Sequence, residues 1–256
     1  MIFDTHAHYD DSAFDPDRDE LLSSLPLKGV CRVVNVTASE ASLTESPALA
    51  GRYDHVYTSA GLHPTEIYDL DMSVLDRVED LCAYDKTVAV GEIGLDYHYP
   101  DTNESLQKEF FEAQLDMARR QALPVIIHSR DAAKDTMDIL RSYHAGDIGG
   151  VVHCYSYSLE MAREYAGMGL YIGVGGVVTY RNGRKLKECV EYLPVDSIVL
   201  ETDCPYLSPE PKRGQRNSSL NLSYVAAEIA RIKGMTIQEV EDITLDNAMK
   251  LYRMEY

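Results

Sequence analysis

The chain has 256 residues, 45% of them hydrophobic, and no run approaches the roughly 20 apolar residues of a membrane span, so a helical membrane protein is excluded. A formal net charge of −18 weighs against nucleic-acid binding through a broad basic surface, while leaving open phosphate contact through bound cations and a few local arginines. The start lacks a basic segment followed by an apolar stretch, and Cys31, Cys82, Cys154, Cys189 and Cys204 show no C-x-x-C spacing; a cytoplasmic protein with neither a disulfide framework nor a zinc knuckle is expected.

Taken in order, β-branched apolar runs cover residues 2–8, 29–37, 55–62, 87–95, 124–128, 150–154, 170–178 and 197–202. Helical apolar spacing covers 41–52, 73–83, 105–121, 132–144, 159–168 and 184–192, with two further helices at 222–233 and 236–253. Asn103 or Ser105 is positioned to open the third helix and Ser158 the fifth. Near-continuous apolar strands such as Val125-Ile126-Ile127 suit a sheet covered on both faces. About eight strands, each followed by helix, predict an α/β fold of the (β/α)8 TIM-barrel type over 1–256, with a doubly wound open sheet as the alternative.

In a barrel, polar residues at the carboxyl ends of the strands converge on one mouth. Strand one ends in Asp4-Thr5-His6-Ala7-His8, whose two histidines point to the same side, roughly 7 Å apart. Alone, such a pair reads first as a core histidine beside a solvated one. The other ends supply His63-Pro64, Gly91-Glu92-Ile93-Gly94-Leu95-Asp96-Tyr97, His128-Ser129-Arg130-Asp131, His153-Cys154-Tyr155-Ser156 and Glu201-Thr202-Asp203-Cys204-Pro205. Histidines gathered at strand ends point to a metal site.

These motifs, in this order and over essentially the whole chain, resemble the TatD-like metal-dependent deoxyribonucleases, a branch of the amidohydrolase-like barrels. Further matching stretches are Gly61-Leu62-His63-Pro64, Cys204-Pro205-Tyr206-Leu207, Arg213-Gly214 and Arg216-Asn217. The resemblance implies two divalent metals, one held by His6, His8 and Asp203, the other by His128 and His153, with Glu92 bridging both. Ala7 stands where the family often has cysteine, on the face away from the metals.

Four imidazoles and two carboxylates suit zinc or manganese better than an all-oxygen magnesium site. Two ions about 3.5–4 Å apart can activate a bridging water for in-line displacement at phosphorus. The catalytic set expected is Glu92, Asp203, His63 and Glu201. His63 is placed either at substrate phosphate or in a structural hydrogen bond, and Glu201 is placed to orient a ligand histidine or a water. Arg130 is a candidate bidentate phosphate grip, and Asp96 and Asp131 orient a loop or cap a turn or helix. Arg213 and Arg216, with Lys212, are expected at the mouth as phosphate contacts. Arg181, Arg184, Lys185 and Lys187 form a second basic group that reads equally as a solvated face. Tyr155, Tyr157, Tyr180 and Tyr206 are candidates for base stacking. The expectation is a monomeric two-metal phosphodiesterase that trims single-stranded DNA in the 3′→5′ direction. The alternatives are an ester or amide hydrolase, such as an aminoacyl-tRNA deacylase, and a metal-bound scaffold protein.

Overall fold

The eight β-branched runs form eight parallel strands hydrogen-bonded in chain order, β1 (Ile2–Ala7), β2 (Val30–Asn35), β3 (Val56–Ala60), β4 (Thr87–Asp96), β5 (Val125–Arg130), β6 (Gly150–Val152), β7 (Tyr171–Val174) and β8 (Ile198–Leu200). The computed structural model describes residues 1–255. The sheet curls round so that β8 returns to β1. Ala7 bridges Cys204 in parallel, and the His8 amide donates to the Cys204 carbonyl at 2.8 Å. Buried Asp4 strengthens that seam by accepting from Thr202 Oγ1 at 2.7 Å and Ser219 Oγ at 2.6 Å. The expected TIM barrel is therefore present, and the open doubly wound sheet is not.

Alternation along each strand divides the core. Phe3, Val34, Ile126, Val151 and Val199 cluster with Leu245, Ala248 and Met249 of the last helix, α10 (Ile237–Leu251), and with Tyr252 just beyond it, which together close the end opposite the carboxyl ends of the strands. Val125 and Ile127 face the other way, into the layer under the surrounding helices. These include α2 (Ser42–Ala50), α3 (Val74–Cys82), α4 (Glu104–Gln121), α5 (Ala133–Ser142), α7 (Leu159–Gly167), α8 (Arg184–Tyr192) and α9 (Leu222–Lys233). Two N-caps are where the sequence puts them. Asn103 accepts from the Leu106 amide at 3.1 Å, and Ser158 from the Met161 amide at 3.4 Å. Among the described residues, no helix is long and apolar enough to cross a membrane.

Three local expectations differ. Strand seven does not reach residue 178; it stops at Val174 and the chain turns into a 3-10 helix, Gly176–Thr179. The loop after β8 packs there so closely that a Cβ on Gly176 would sit 2.0 Å from the Leu207 carbonyl oxygen. The helix expected over 132–144 ends at Ser142, and a single-turn helix α6 (Ala145–Ile148) follows through His144 at φ 45°. Helix α1 (Arg18–Ser24) is absent from the sequence reading because seven residues are too few to display a helical period.

Candidate metal centre

Glu92 lies on β4, whose ten residues are all buried, and its amide donates to the Thr37 carbonyl at 2.8 Å. That anchor places the carboxylate between two groups of imidazoles. Oε2 faces His6 Nε2 at 3.3 Å and His8 Nε2 at 3.9 Å. Oε1 faces His128 Nδ1 at 2.8 Å, His153 Nε2 at 3.4 Å and His63 Nε2 at 3.7 Å. Asp203 joins the first group, 3.4 Å from His8 Nε2 and 3.8 Å from His6 Nε2. Strands on both sides of the barrel thus deliver their side chains to one carboxylate.

The donor set fits divalent cations on several independent counts. His6 and His8 bring their Nε2 atoms to 3.1 Å, where two lone pairs repel unless a proton or a cation lies between them. His6, His8 and Asp203 offer ligand atoms all within 4.8 Å of one another, and so do His63, Glu92 and His128. Burial by itself raises the pKa of Glu92, yet the imidazoles of His153, His6 and His63 outweigh it and hold the carboxyl well below its usual range. Burial lowers His153, but the carboxylates of Glu201 and Glu92 more than reverse this and lift it to about 10. So much paired charge at one buried point is costly, and a cation that replaces the imidazole protons relieves it.

Around this centre a further set of carboxylates meets the backs of the rings. Asp96, almost fully buried, contacts His128 Nε2 through Oδ2 at 3.1 Å and accepts from the His98 amide through Oδ1 at 3.0 Å. Asp96 therefore does more than shape a turn. Glu201 accepts from the Cys154 amide at 2.6 Å and reaches His153 Nδ1 at 3.3 Å. His6 Nδ1, His153 Nδ1 and Glu201 Oε2 are all buried without a hydrogen-bond partner, so Glu201 meets His153 as a neighbouring charge, and the rings of His6 and His153 stack at 3.6 Å. Cys154 is half-buried against His153 and Asp203 rather than lying in the apolar core, whereas Cys204 points away into the cluster of Ala7, Tyr9 and Phe14.

The centre opens into a cavity of about 740 Å³ at the carboxyl ends of the strands. The residues after β1, β2 and β3 give it Asp10, Asp11, Glu45, His63 and Glu66; the end of β5 gives Arg130, and the residues after β4 and β8 give Tyr99 and Tyr206. Arg213 and Arg216 do not line it. Arg216 is held by Asp17 at 2.7 and 2.6 Å and lies over the Phe14 ring, and Arg213 stacks 4.2 Å from the Tyr180 ring centroid beside Glu210. Tyr155 is buried, and Tyr180 is largely buried with its hydroxyl on the Ser208 carbonyl, so neither presents a face for stacking. Asp131 does not cap α5; its carboxylate meets His98 Nδ1 at 3.1 Å.

Comparison with known proteins shows the family and the fold. The family model described as TatD related DNase matches residues 3–253. The chain belongs to the TatD related DNase family. It is 40% identical to the uncharacterized metal-dependent hydrolase YabD of Bacillus subtilis over 99% of this chain and 100% of that one. It is 31% identical to the 3′-5′ ssDNA/RNA exonuclease TatD of a Rahnella strain, covering 99% of this chain and 98% of the other. The crystal structure of the TatD homologue YjjV from Escherichia coli superposes with a TM-score of 0.94 at 30% identity, over 99% of this chain and 98% of that one. As a member of the TatD family the protein is a metal-dependent hydrolase with a TIM-barrel fold.

Two features of this TatD centre go beyond the sequence. Asp96 reads there as a residue that orients a loop or caps a turn, with no partner named, because His128 is 32 positions away. Tyr99 carried no signal, since it lies in the turn between β4 and α4, where no periodic pattern sets direction.

Proposed function

We propose that this TatD protein is a two-metal phosphodiesterase that removes nucleotides from the 3′ end of single-stranded DNA. The observation that carries the reading is Glu92, whose two carboxylate oxygens face two separate groups of donors, as a bridging ligand requires. In this reading His6, His8 and Asp203 hold one ion and His128 and His153 the other, zinc or manganese suiting the nitrogen-rich set better than magnesium. Bound there, the pair of ions would polarise a phosphodiester and lower the pKa of a water. The exonuclease name of the Rahnella relative supports the substrate class and the direction.

The chain's own residues then bind and orient. Arg130 is the one arginine or lysine that lines the cavity, so it takes a non-bridging phosphate oxygen. His63 lies beside the centre with Nδ1 2.7 Å from Thr65 Oγ1, leaving Nε2 directed at the reacting group and at Glu92. Its place in the compact group with Glu92 and His128 gives it a second role, as a neighbour that restricts how His128 turns. Glu201 fixes the ring of His153 and Asp96 that of His128. All of these groups come from one chain, so the proposed centre is complete within a monomer.

Gly173→Ala tests Glu201 gently. The added Cβ would fall 2.2 Å from Glu201 Oε2 and 2.6 Å from its Cδ, so the buried carboxylate must move from its place beside His153. Metal affinity, read by titration calorimetry, is expected to fall roughly 10–100-fold with little change in thermal stability. Unchanged affinity would leave Glu201 a packing residue.

The function itself is tested by turnover of single-stranded DNA labelled at either end, beside a panel of aminoacyl-tRNAs. Mononucleotides released from the 3′ end are expected, with two metals per chain by elemental analysis. A chelator should abolish turnover and leave the circular dichroism intact, because the barrel core does not depend on the ions. Deacylation of tRNA with intact DNA, or hydrolysis indifferent to the chelator, would overturn the reading.

A further inference from the structure

The cavity is electrostatically one-sided. Around the barrel, the β1–β3 sector contributes Asp10, Asp11, Glu45 and Glu66, which repel a phosphate chain. The β4–β5 sector contributes Arg130 and Tyr99 at the rim, while its carboxylates Glu92 and Asp96 are buried and turned to the imidazoles of the centre. The two strands are in register there, Asp96 opposite Arg130, and the Tyr97 amide donates to the Arg130 carbonyl at 2.9 Å. Arg130 is exposed and, among the described residues, has no ion-pair partner, whereas Arg213 and Arg216 are engaged by Glu210 and Asp17. Tyr99 is 52% exposed, and the Arg130 guanidinium carbon lies 6.0 Å from its ring centroid.

The ring is also braced. The His98 imidazole meets it edge-on at 5.3 Å and is itself held by Asp131, and the Tyr99 carbonyl accepts from Thr102 Oγ1 at 2.7 Å. An exposed aromatic ring with a fixed backbone, beside a cation that has no ion-pair partner among the described residues, matches what a nucleotide offers: a flat base and a phosphate.

We propose that Tyr99 and Arg130 form the subsite for the nucleotide adjoining the bond to be cleaved, its base stacked on Tyr99 and its phosphate on Arg130. This rests on the nuclease reading above and deepens it, since it says why the substrate is single-stranded. A base still paired and stacked in a duplex has no free face for Tyr99, and the acidic sector offers a second strand no path. Tyr99 acts here on specificity and takes no part in bond cleavage.

The test uses the full-length, metal-loaded protein and short single strands in which one abasic position is walked away from the cleaved bond. A single strand abasic throughout is the reference substrate, and bis(p-nitrophenyl) phosphate reports diester hydrolysis alone. In the wild type, one abasic position should lower kcat/KM relative to the reference by roughly five- to a hundredfold, the range of one base–aromatic stack. Tyr99→Ala should cause the same relative loss on the intact strand, mainly through KM, and the abasic position should then cost nothing more. Tyr99→Phe, which keeps the stacking face, should restore the ratio. An uncharged methylphosphonate at that nucleotide should lower the wild-type ratio and add nothing to Arg130→Ala. If DNA is cleaved from its end but the Tyr99→Ala and abasic losses multiply, or neither occurs, the subsite is overturned and the nuclease reading stands. If the wild type hydrolyses the small diester and no DNA, both fall together.

Discussion

Glu92→Gln is expected to release at least one metal ion and to lower kcat for DNA roughly a thousandfold, about 4 kcal/mol of transition-state stabilisation. The side chain keeps its shape, so the effect is one of charge and of donor number. The carboxylate now presents Oε2 to His6 and His8 and Oε1 to His128, His153 and His63. An amide keeps one oxygen as a donor and turns an NH2 towards the other group, where imidazole nitrogens need a negative neighbour or a cation. In the two-metal reading, two cations held close together would also lose the carboxylate charge proposed to lie between them. The fold should survive, since β4 keeps its packing and the Glu92 amide keeps its bond to the Thr37 carbonyl. Metal content by elemental analysis and single-turnover rates provide the check. A variant with both ions and near-normal rates would remove Glu92 from the bridge.

Gly94→Ala is expected to damage the fold itself. Gly94 sits in register with His128, at φ 143°, a backbone region that residues with a Cβ rarely adopt. An added Cβ would lie 1.9 Å from the His128 carbonyl oxygen, so β4 and β5 must part at the point where both carry residues of the centre. The expected loss is about 3 kcal/mol or more, a fall in Tm of roughly 6–12 °C for a chain of this size. Gly29→Ala isolates the backbone component. Gly29 has φ 90° with nothing within 4 Å of the added Cβ, so it pays conformational strain alone, of order 1–3 kcal/mol. Equal Tm losses in the two variants would show that the contact with His128 is relieved cheaply. A lower metal affinity in whatever Gly94→Ala protein folds should accompany the loss, because His128 moves with its carbonyl.

The glycines of Gly91-Glu92-Ile93-Gly94 illustrate how sequence and structure divide the information. As letters they mark a family motif; in the barrel they are close approaches. A Cβ on Gly91 would fall 2.6 Å from the Ile126 Cβ, and one on Gly61 2.5 Å from the Gly91 carbonyl carbon. Those distances depend on neighbouring strands.

By itself the sequence determined the eight strands, the barrel and the candidate donors at the strand ends. The reason is local: β-branched runs extend, helical spacing alternates with them, and a parallel arrangement carries every carboxyl end to one mouth. Only the tertiary structure decided which of those polar residues face one another. His63 came to lie 3.7 Å from Glu92, and Asp96 turned from a loop residue into the partner of His128. Arg216, expected at the mouth, is drawn to Asp17, 199 positions away in the chain, and Tyr99 takes its place beside Arg130. Loop side chains follow the nearest opposite charge or apolar face that folding supplies, and no spacing in the sequence records that choice.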